Sequence, residues 1–272
     1  MLEKSFKQLE YEGWSARATT FDDHFAEMTG AAIGPILDAL GALGGKRLLD
    51  VGCGTGHLAA AAARRGAEVL GVDFAETMVA RARTNYPGIA FRQGDAEGLD
   101  LADASFDAVA CSFALLHLSD QEAAIAEAHR VLRPGGRYGF TIWRGPEDGC
   151  AFFALTRGAI EAEGEADVGL PDAPPADRLA DPAVASALLG AAGFVEPALQ
   201  DLPLVWRNRS ARAIIEAIYK GGVRTAMVMQ AQTAEARARI EAAILEAAEG
   251  HRKDGRIELA MPAVLVTARK PA

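Results

Sequence analysis

Apolar positions along this chain follow two rhythms. Short runs at residues 48–51, 68–73 and 89–93, closed by glycine or an acid, a turn and run at 103–111, and a run at 137–143 read as strands. The first of them, apolar and bounded by turn residues, reads as a buried parallel strand. Between the runs lie helical stretches. Residues 57–65 end in Arg64, Arg65 and Gly66, which complement the helix dipole and stop the helix, and residues 119–132 open on a Ser119–Glu122 capping box and stop at Arg133–Gly136. Ahead of them, residues 1–30 suggest one or two short helices, and Leu37, Leu40 and Leu43 a further one ending at Gly44–Gly45. Beyond Arg144 the pattern predicts a helix over 150–163, a proline-rich acidic loop over 164–182, and a helix capped by Asp181, begun by Pro182 and ended by Gly193. It then predicts a strand over 198–206, helices over 210–220 and 233–249, and a last strand over 256–269 with Pro262 at a bulge or an edge. Strands and helices in this alternation make an α/β protein.

The first strand stops in three glycines. Residues Arg47 to Leu58 place Gly52, Gly54 and Gly56 at alternate positions before an Ala-rich helix, so the backbone can turn tightly and approach a ligand with the helix N-terminus pointing into the gap. Alone, that turn indicates only a nucleotide-like ligand. Asp73 ends the second strand 21 residues past Gly52, where a carboxylate can accept from both hydroxyls of a ribose, and Phe74 and Met78 follow as apolar cover for an adenine. A nicotinamide dinucleotide would use the same features. Its fingerprint wants a third glycine where this chain has His57, and it gives no reason for Asp50.

Leu48-Leu-Asp-Val-Gly-Cys-Gly-Thr-Gly56, Asp73, Gly94-Asp95-Ala96 and the Leu132-Arg-Pro-Gly-Gly136 turn together resemble the class I methyltransferases that use S-adenosylmethionine, in the branch of the ubiquinone and menaquinone biosynthesis enzymes. The resemblance runs from about Leu48 to Trp143. It implies a doubly wound seven-strand sheet, mostly parallel with one antiparallel strand and helices on both faces. It also implies S-adenosylmethionine as cofactor, held by Gly52, Cys53, Gly54, Gly56 and Asp73, with Asp50 steadying the turn, Asp95 accepting from the adenine amino group and the Ala96 amide meeting a ring nitrogen. Ser112 and Phe113, beyond the fourth strand, are further candidate contacts, since ligands of doubly wound sheets bind at strand carboxyl ends. In the resembled family the N-terminal segment folds over the cofactor, which brings Tyr11, Trp14 and Arg17 to the ligand. The expected organisation is a single domain over 1–272: N-terminal helices and lid to 46, a cofactor-binding half over 47–148, inserts at 149–182 and 209–254 walling the acceptor pocket, and 183–208 with 255–272 completing the sheet.

Composition narrows the partners. The 272 residues suffice for one full domain with an ample core. A net charge of −9 without a Lys/Arg cluster argues against a nucleic-acid surface. No apolar stretch approaches the roughly 18 residues that span a bilayer, and the first residues have no signal core, so no membrane insertion or export is expected. Three scattered cysteines, Cys53, Cys111 and Cys150, suit a reduced cytoplasmic protein with small buried thiols. After strand four stand Ser112, Phe113, Ala114 and Leu115, neither the carboxylates of metal-dependent O-methyltransferases nor the Asn/Asp-Pro-Pro-Tyr of amide methyltransferases, so no metal is called for and a small-molecule acceptor is expected. His117 is the first candidate base, then Tyr11 and His24, then Tyr219. Phe152, Phe153, Ile214, Ile218, Met227 and Met229 of the inserts suggest an apolar or aromatic acceptor. An NAD(P)-dependent oxidoreductase and a non-catalytic S-adenosylmethionine-binding protein are the alternative readings.

Overall fold

The computed structural model describes residues 4–272, with the side chain of His24 outside the described residues. Its centre is a seven-stranded sheet built from β1 (Arg47–Val51), β2 (Glu68–Asp73), β3 (Ala90–Gln93), β4 (Phe106–Ser112), β5 (Leu132–Trp143), β6 (Val195–Leu202) and a last strand, Ala263–Arg269. β1 and β4 are nearly continuous apolar runs because helices cover the sheet on both faces: Leu48, Leu49 and Val109 are wholly buried. Three shorter strands, β7 (Val205–Asn208), β8 (Arg252–Lys253) and β9 (Arg256–Ala260), form a separate sheet in the order β7-β9-β8, so the last strand is β10. The large sheet runs β3-β2-β1-β4-β5-β10-β6, parallel except that β10 is antiparallel to both neighbours. This is the doubly wound sheet with one reversed strand that the resemblance implied.

The helices are α1 (Phe6–Arg17), α2 (Phe21–His24), α3 (Ala26–Gly30), α4 (Ile33–Leu40), α5 (His57–Arg64), α6 (Glu76–Asn85), α7 (Gln121–Val131), α8 (Ala151–Glu163), α9 (Pro182–Ala191), α10 (Arg212–Gly221), α11 (Arg224–Ala231) and α12 (Ala234–Glu249). α9 starts as its sequence dictates, the Asp181 carboxylate accepting from the Ala183 and Val184 amides with Pro182 in the first turn. The cap of α7 is Asp120 rather than Ser119, whose hydroxyl donates to Glu97 instead. Among the described residues no helix is long and apolar enough to cross a membrane.

Two parts of the second half differ from the sequence expectation. The stretches 198–206 and 256–269, each read as one strand, both leave one sheet and enter the other. Pro203 separates β6 from β7 and Pro262 separates β9 from β10, and the two breaks face each other between the pairs Leu202–Ala263 and Val205–Ala260. A proline has no N–H for the ladder, so both antiparallel partners break where their prolines stand. The Arg133–Gly136 turn, expected to precede strand five, is carried inside β5: Phe106 pairs with Leu132 but Ala108 with Arg137, which leaves the turn out of the ladder. α11 has no counterpart in the sequence reading, and it carries a residue on which the site depends.

Candidate active site

At the end of β1 the chain enters a left-handed turn, with φ of +68° at Gly52, +52° at Gly54 and +93° at Gly56. A side chain at Gly52 would strike the Ala114 Cβ, and one at Gly56 would come within 2.9 Å of both Phe91 and Tyr86. Gly52 and Cys53 donate their amides to the Val72 carbonyl at 2.8 and 3.0 Å, locking the turn against β2. Asp50, 1% exposed, reaches past the glycines to accept from the Ala59 amide at 3.0 Å and so ties β1 to the first turn of α5. Burial, with the charge of Asp73 adding to it, pushes its carboxyl up to about 7.

Asp73 ends β2 facing the same gap. Its two oxygens accept one amide each, from Gly54 and Ala75, both at 2.9 Å. A carboxylate has about four acceptor positions, so each oxygen can take a second donor from the cavity. Burial outweighs the two amide bonds and raises the group to about 6.

The cavity above these strand ends is lined by Asp50, Gly52, Cys53, Gly54, Asp73, Phe74, Met78 and Ala96 on one side, and by Ser112, Phe113, His117 and Trp143 on the other. Phe113 leaves β4 at a φ of +53°, held there by its amide bonded to the Thr141 hydroxyl at 3.1 Å, and its ring stacks on Trp143 at 3.9 Å. Strained backbone of this kind collects at ligand sites. The remaining wall comes from the N-terminal segment: Trp14, Phe21, Phe25, Thr29 and Ile33. No residue of 149–182 or 209–254 lines the cavity, so the walling role expected of the inserts falls to the N-terminal helices. The inserts stand behind that wall, with Phe152 edge-on to Phe25 at 6.2 Å.

The structure therefore brings most of the expected residues to one place and leaves some out. Gly56 does not line the cavity; its part is the close packing just described. Tyr11 is 39% exposed, its ring edge-on to Phe74 at 5.7 Å, and Arg17 is folded back onto its own helix, donating to the Gly13 carbonyl at 2.8 Å. Neither lines the cavity: Tyr11 stands off the inward face of α1, and Arg17, though buried on that face, is held by its bond to Gly13. Asp95 is occupied by Lys7 and by the Glu97 amide and is not part of the lining. Tyr219 donates to Glu241 at 3.0 Å, away from the cavity; burial and that carboxylate push it up to about 12, unsuited to a base. The His24 side chain, as noted, lies outside what the structure describes. The thiols of Cys111 and Cys150 are raised by burial to about 12 and 11, as inert core groups are. Among the described residues no group of three or more His, Cys, Asp or Glu could hold a metal.

Residue types alone did not point to Glu10, Asp22 or Arg224. Glu10 is fully buried, its carboxylate accepting from Trp14 Nε1 at 3.0 Å and Arg224 Nε at 3.2 Å and meeting His117 Nδ1 at 3.0 Å. Burial works to raise it, but His117 and Arg224 hold it below the usual carboxylate range. The only sequence signal was its spacing: Lys7, Glu10 and Trp14 form one stripe of α1. Asp22 latches the N-terminal segment to the glycine turn, accepting from the Thr55 hydroxyl at 2.6 Å and meeting His57 Nε2 at 2.9 Å, while His57 Nδ1 meets the Tyr86 hydroxyl at 2.8 Å. His57 stands where a dinucleotide turn would carry glycine, and its pinned imidazole takes up that space.

A buried carboxylate with spare acceptor sites, an apolar slot of Phe74, Met78 and Ala96, and a glycine turn with Asp50 behind it fit adenosine, its ribose and a short amino-acid tail. The fold is that of the class I methyltransferases, and the site fits S-adenosylmethionine as cofactor. Residues 49–140 match the methyltransferase domain family. Over 101 residues the chain is 48% identical to the demethylmenaquinone methyltransferase of Beutenbergia cavernae, covering 37% of this chain and 42% of that protein. It is 38% identical over 154 residues to the ubiquinone biosynthesis O-methyltransferase of Hahella chejuensis, 53% of this chain and 62% of that one. The chain thus spans under half the length of the first of these relatives. The crystal structure of the cyclase SpnF superposes with a TM-score of 0.63 at 24% identity, covering 99% of this chain and 98% of that chain, a likeness of fold.

The raised Asp73 carboxyl predicts a pH dependence for cofactor binding. Ribose hydroxyls donating to it, as the sequence leads one to expect, would favour the ionised form, lower its pKa and release a proton. Affinity for S-adenosylhomocysteine is expected to rise with pH up to and through about 6, by at most about tenfold per pH unit on the acid side, and then to level off. Calorimetric titrations between about pH 5 and 8 in two buffers of different ionisation enthalpy would read both the slope and the proton; a flat profile would contradict it.

Proposed function

We propose that this protein is an enzyme that moves the methyl group of S-adenosylmethionine to a small, uncharged, flat and apolar acceptor. The observation that carries this is the acceptor side of the cavity. Phe21, Phe25, Ile33, Phe113, Leu118 and Trp143 make it apolar, Thr29, Ser112 and His117 are its polar groups, and among the described residues no Lys or Arg lines the cavity to receive a phosphate or carboxylate. When bound, S-adenosylmethionine supplies a methyl carbon open to in-line displacement. The chain then has to align the acceptor, keep water out and, where the acceptor must lose a proton, take that proton. His117 is the group that would take it, since its Nδ1 is engaged by Glu10 and its other nitrogen is left for the cavity. The names of the quinone-biosynthesis relatives support a phenolic or hydroquinone ring, which is flat, neutral and carries an ionisable hydroxyl. The three scattered, buried free cysteines support a cytoplasmic setting.

The test is transfer of labelled methyl from S-adenosylmethionine to a panel of neutral phenols and hydroquinones, alongside the same rings bearing phosphate or carboxylate. Label is expected in the neutral set, and His117→Asn is expected to slow it on the order of a hundredfold or more. Preference for the charged set would refute the acceptor assignment. Binding of S-adenosylhomocysteine without transfer to anything in the panel or in a metabolite extract would favour a non-catalytic binding protein.

A further inference from the structure

The inner stripe of α1 runs from the segment after β3, beside the cavity, to the acceptor side of the cavity itself. Lys7 Nζ pairs with Glu97 at 2.6 Å and with Asp95, both just past β3, while Trp14 lines the cavity and Glu10 lies between them. Glu10 Oε2 takes both Trp14 Nε1 and His117 Nδ1, and Oε1 takes Arg224 Nε. Arg224, from α11, holds this arrangement from behind: it donates to the Leu116 carbonyl at 2.9 Å and the Pro174 carbonyl at 3.0 Å and sits over the Phe6 ring at 4.3 Å. The indole and the guanidinium can only donate. Of the three partners of Glu10, the imidazole alone could act either way, and a carboxylate between them makes it a donor too. Trp14 meets the imidazole edge-on at 4.8 Å and restrains the ring.

We propose that Glu10 is the positioning residue for His117. It keeps the His117 proton on Nδ1 and leaves Nε2 bare toward the cavity, and because Glu10 rides on α1, the acceptor side gains its proton acceptor only while α1 is seated. This rests on His117 being the proton acceptor. In the step itself the acceptor O–H bond breaks, its proton goes to Nε2, its electron pair forms the oxygen–methyl bond, and the carbon–sulfur bond breaks with its pair left on sulfur. The imidazolium formed faces the Glu10 carboxylate.

The experiment is nitrogen-15 NMR of the full chain labelled at histidine, in mildly alkaline buffer, with His117→Asn assigning the signal. The wild type is expected to show Nδ1 protonated and Nε2 bare. Glu10→Gln keeps the size of the side chain but offers one oxygen, able to accept two bonds, to three donors. Trp14 and Arg224 cannot give up their protons, so His117 is expected to move its proton to Nε2 and accept from the new amide. Glu10→Asp is expected to return the Nδ1–H form. A wild type already protonated at Nε2, or a Glu10→Gln protein with an unchanged tautomer, would overturn the proposal, and the first needs no variant to fold. The reading needs no cofactor, so its failure is separable from that of the methyltransferase assignment, which a missing thermal shift with S-adenosylhomocysteine would mark.

Discussion

Asp73→Ala is expected to weaken S-adenosylhomocysteine binding by on the order of 1.5 to 3 kcal/mol, roughly ten- to over a hundredfold in Kd. The carboxylate is 7% exposed, and its spare acceptor sites are its only means of meeting the ribose hydroxyls. Removing it costs a charged hydrogen-bond acceptor in a site that water does not easily refill. It also frees the Gly54 and Ala75 amides, which Asp73 holds at 2.9 Å, so part of the loss is a loosened turn. Asp73→Asn separates the two, because it keeps the shape and one acceptor oxygen and is expected to lose less. Isothermal titration above about pH 7, where the wild-type group is ionised, is the measurement; equal affinity in all three proteins would remove Asp73 from the ribose site.

The second large effect is on stability. Arg224→Ala is expected to cost about 3 kcal/mol of unfolding free energy, since taking one partner from a buried ion pair leaves the other charge poorly matched. Glu10 is wholly buried, and once the guanidinium has gone His117 is its remaining ionisable hydrogen-bond partner, with Arg17 acting on it only through space. The same deletion cuts ties to the 115–118 turn and to the 164–181 loop at Pro174. For a domain of this size the melting temperature would fall by roughly 6 to 12 °C. Urea unfolding would read it, and a loss below about 0.5 kcal/mol would mean that the pair carries no such weight. Glu10→Leu with Arg224→Met is expected to be more stable than the Arg224 single variant, because the buried carboxylate goes together with its guanidinium partner, even though Arg17 loses the favourable charge of Glu10.

The cofactor half was legible because its information is local. β1 and β4 are buried on both faces and read as apolar runs, and the turn after β1 needs glycine at the positions where φ is positive. Asp50 and Asp73 stand at strand ends counted from that turn. The later sheet was not legible in this way. β6 is an edge strand exposed at most positions, so it has no period to find, and the meaning of Pro262 depends on Pro203 some sixty positions away. The Glu10 cluster is assembled across 107 positions to His117 and 214 to Arg224. On α1 the choice of Tyr11 went by residue type, whereas helix phase selects Lys7, Glu10, Trp14 and Arg17, of which Arg17 spends its guanidinium on its own helix.

The place of β10 in the sheet has a kinetic side. β6 has no neighbour but β10, and β10 reaches β5 only by closing a loop of more than a hundred residues between Trp143 and Ala263. The strands from β3 to β5 can pair through short crossovers, while completion of the sheet waits for its most distant contact. Until then the edge of β5 stands unpaired, a surface on which chains of this kind associate wrongly. Substitutions in β10 should therefore weigh on yield and solubility during folding more than their cost to the finished structure suggests.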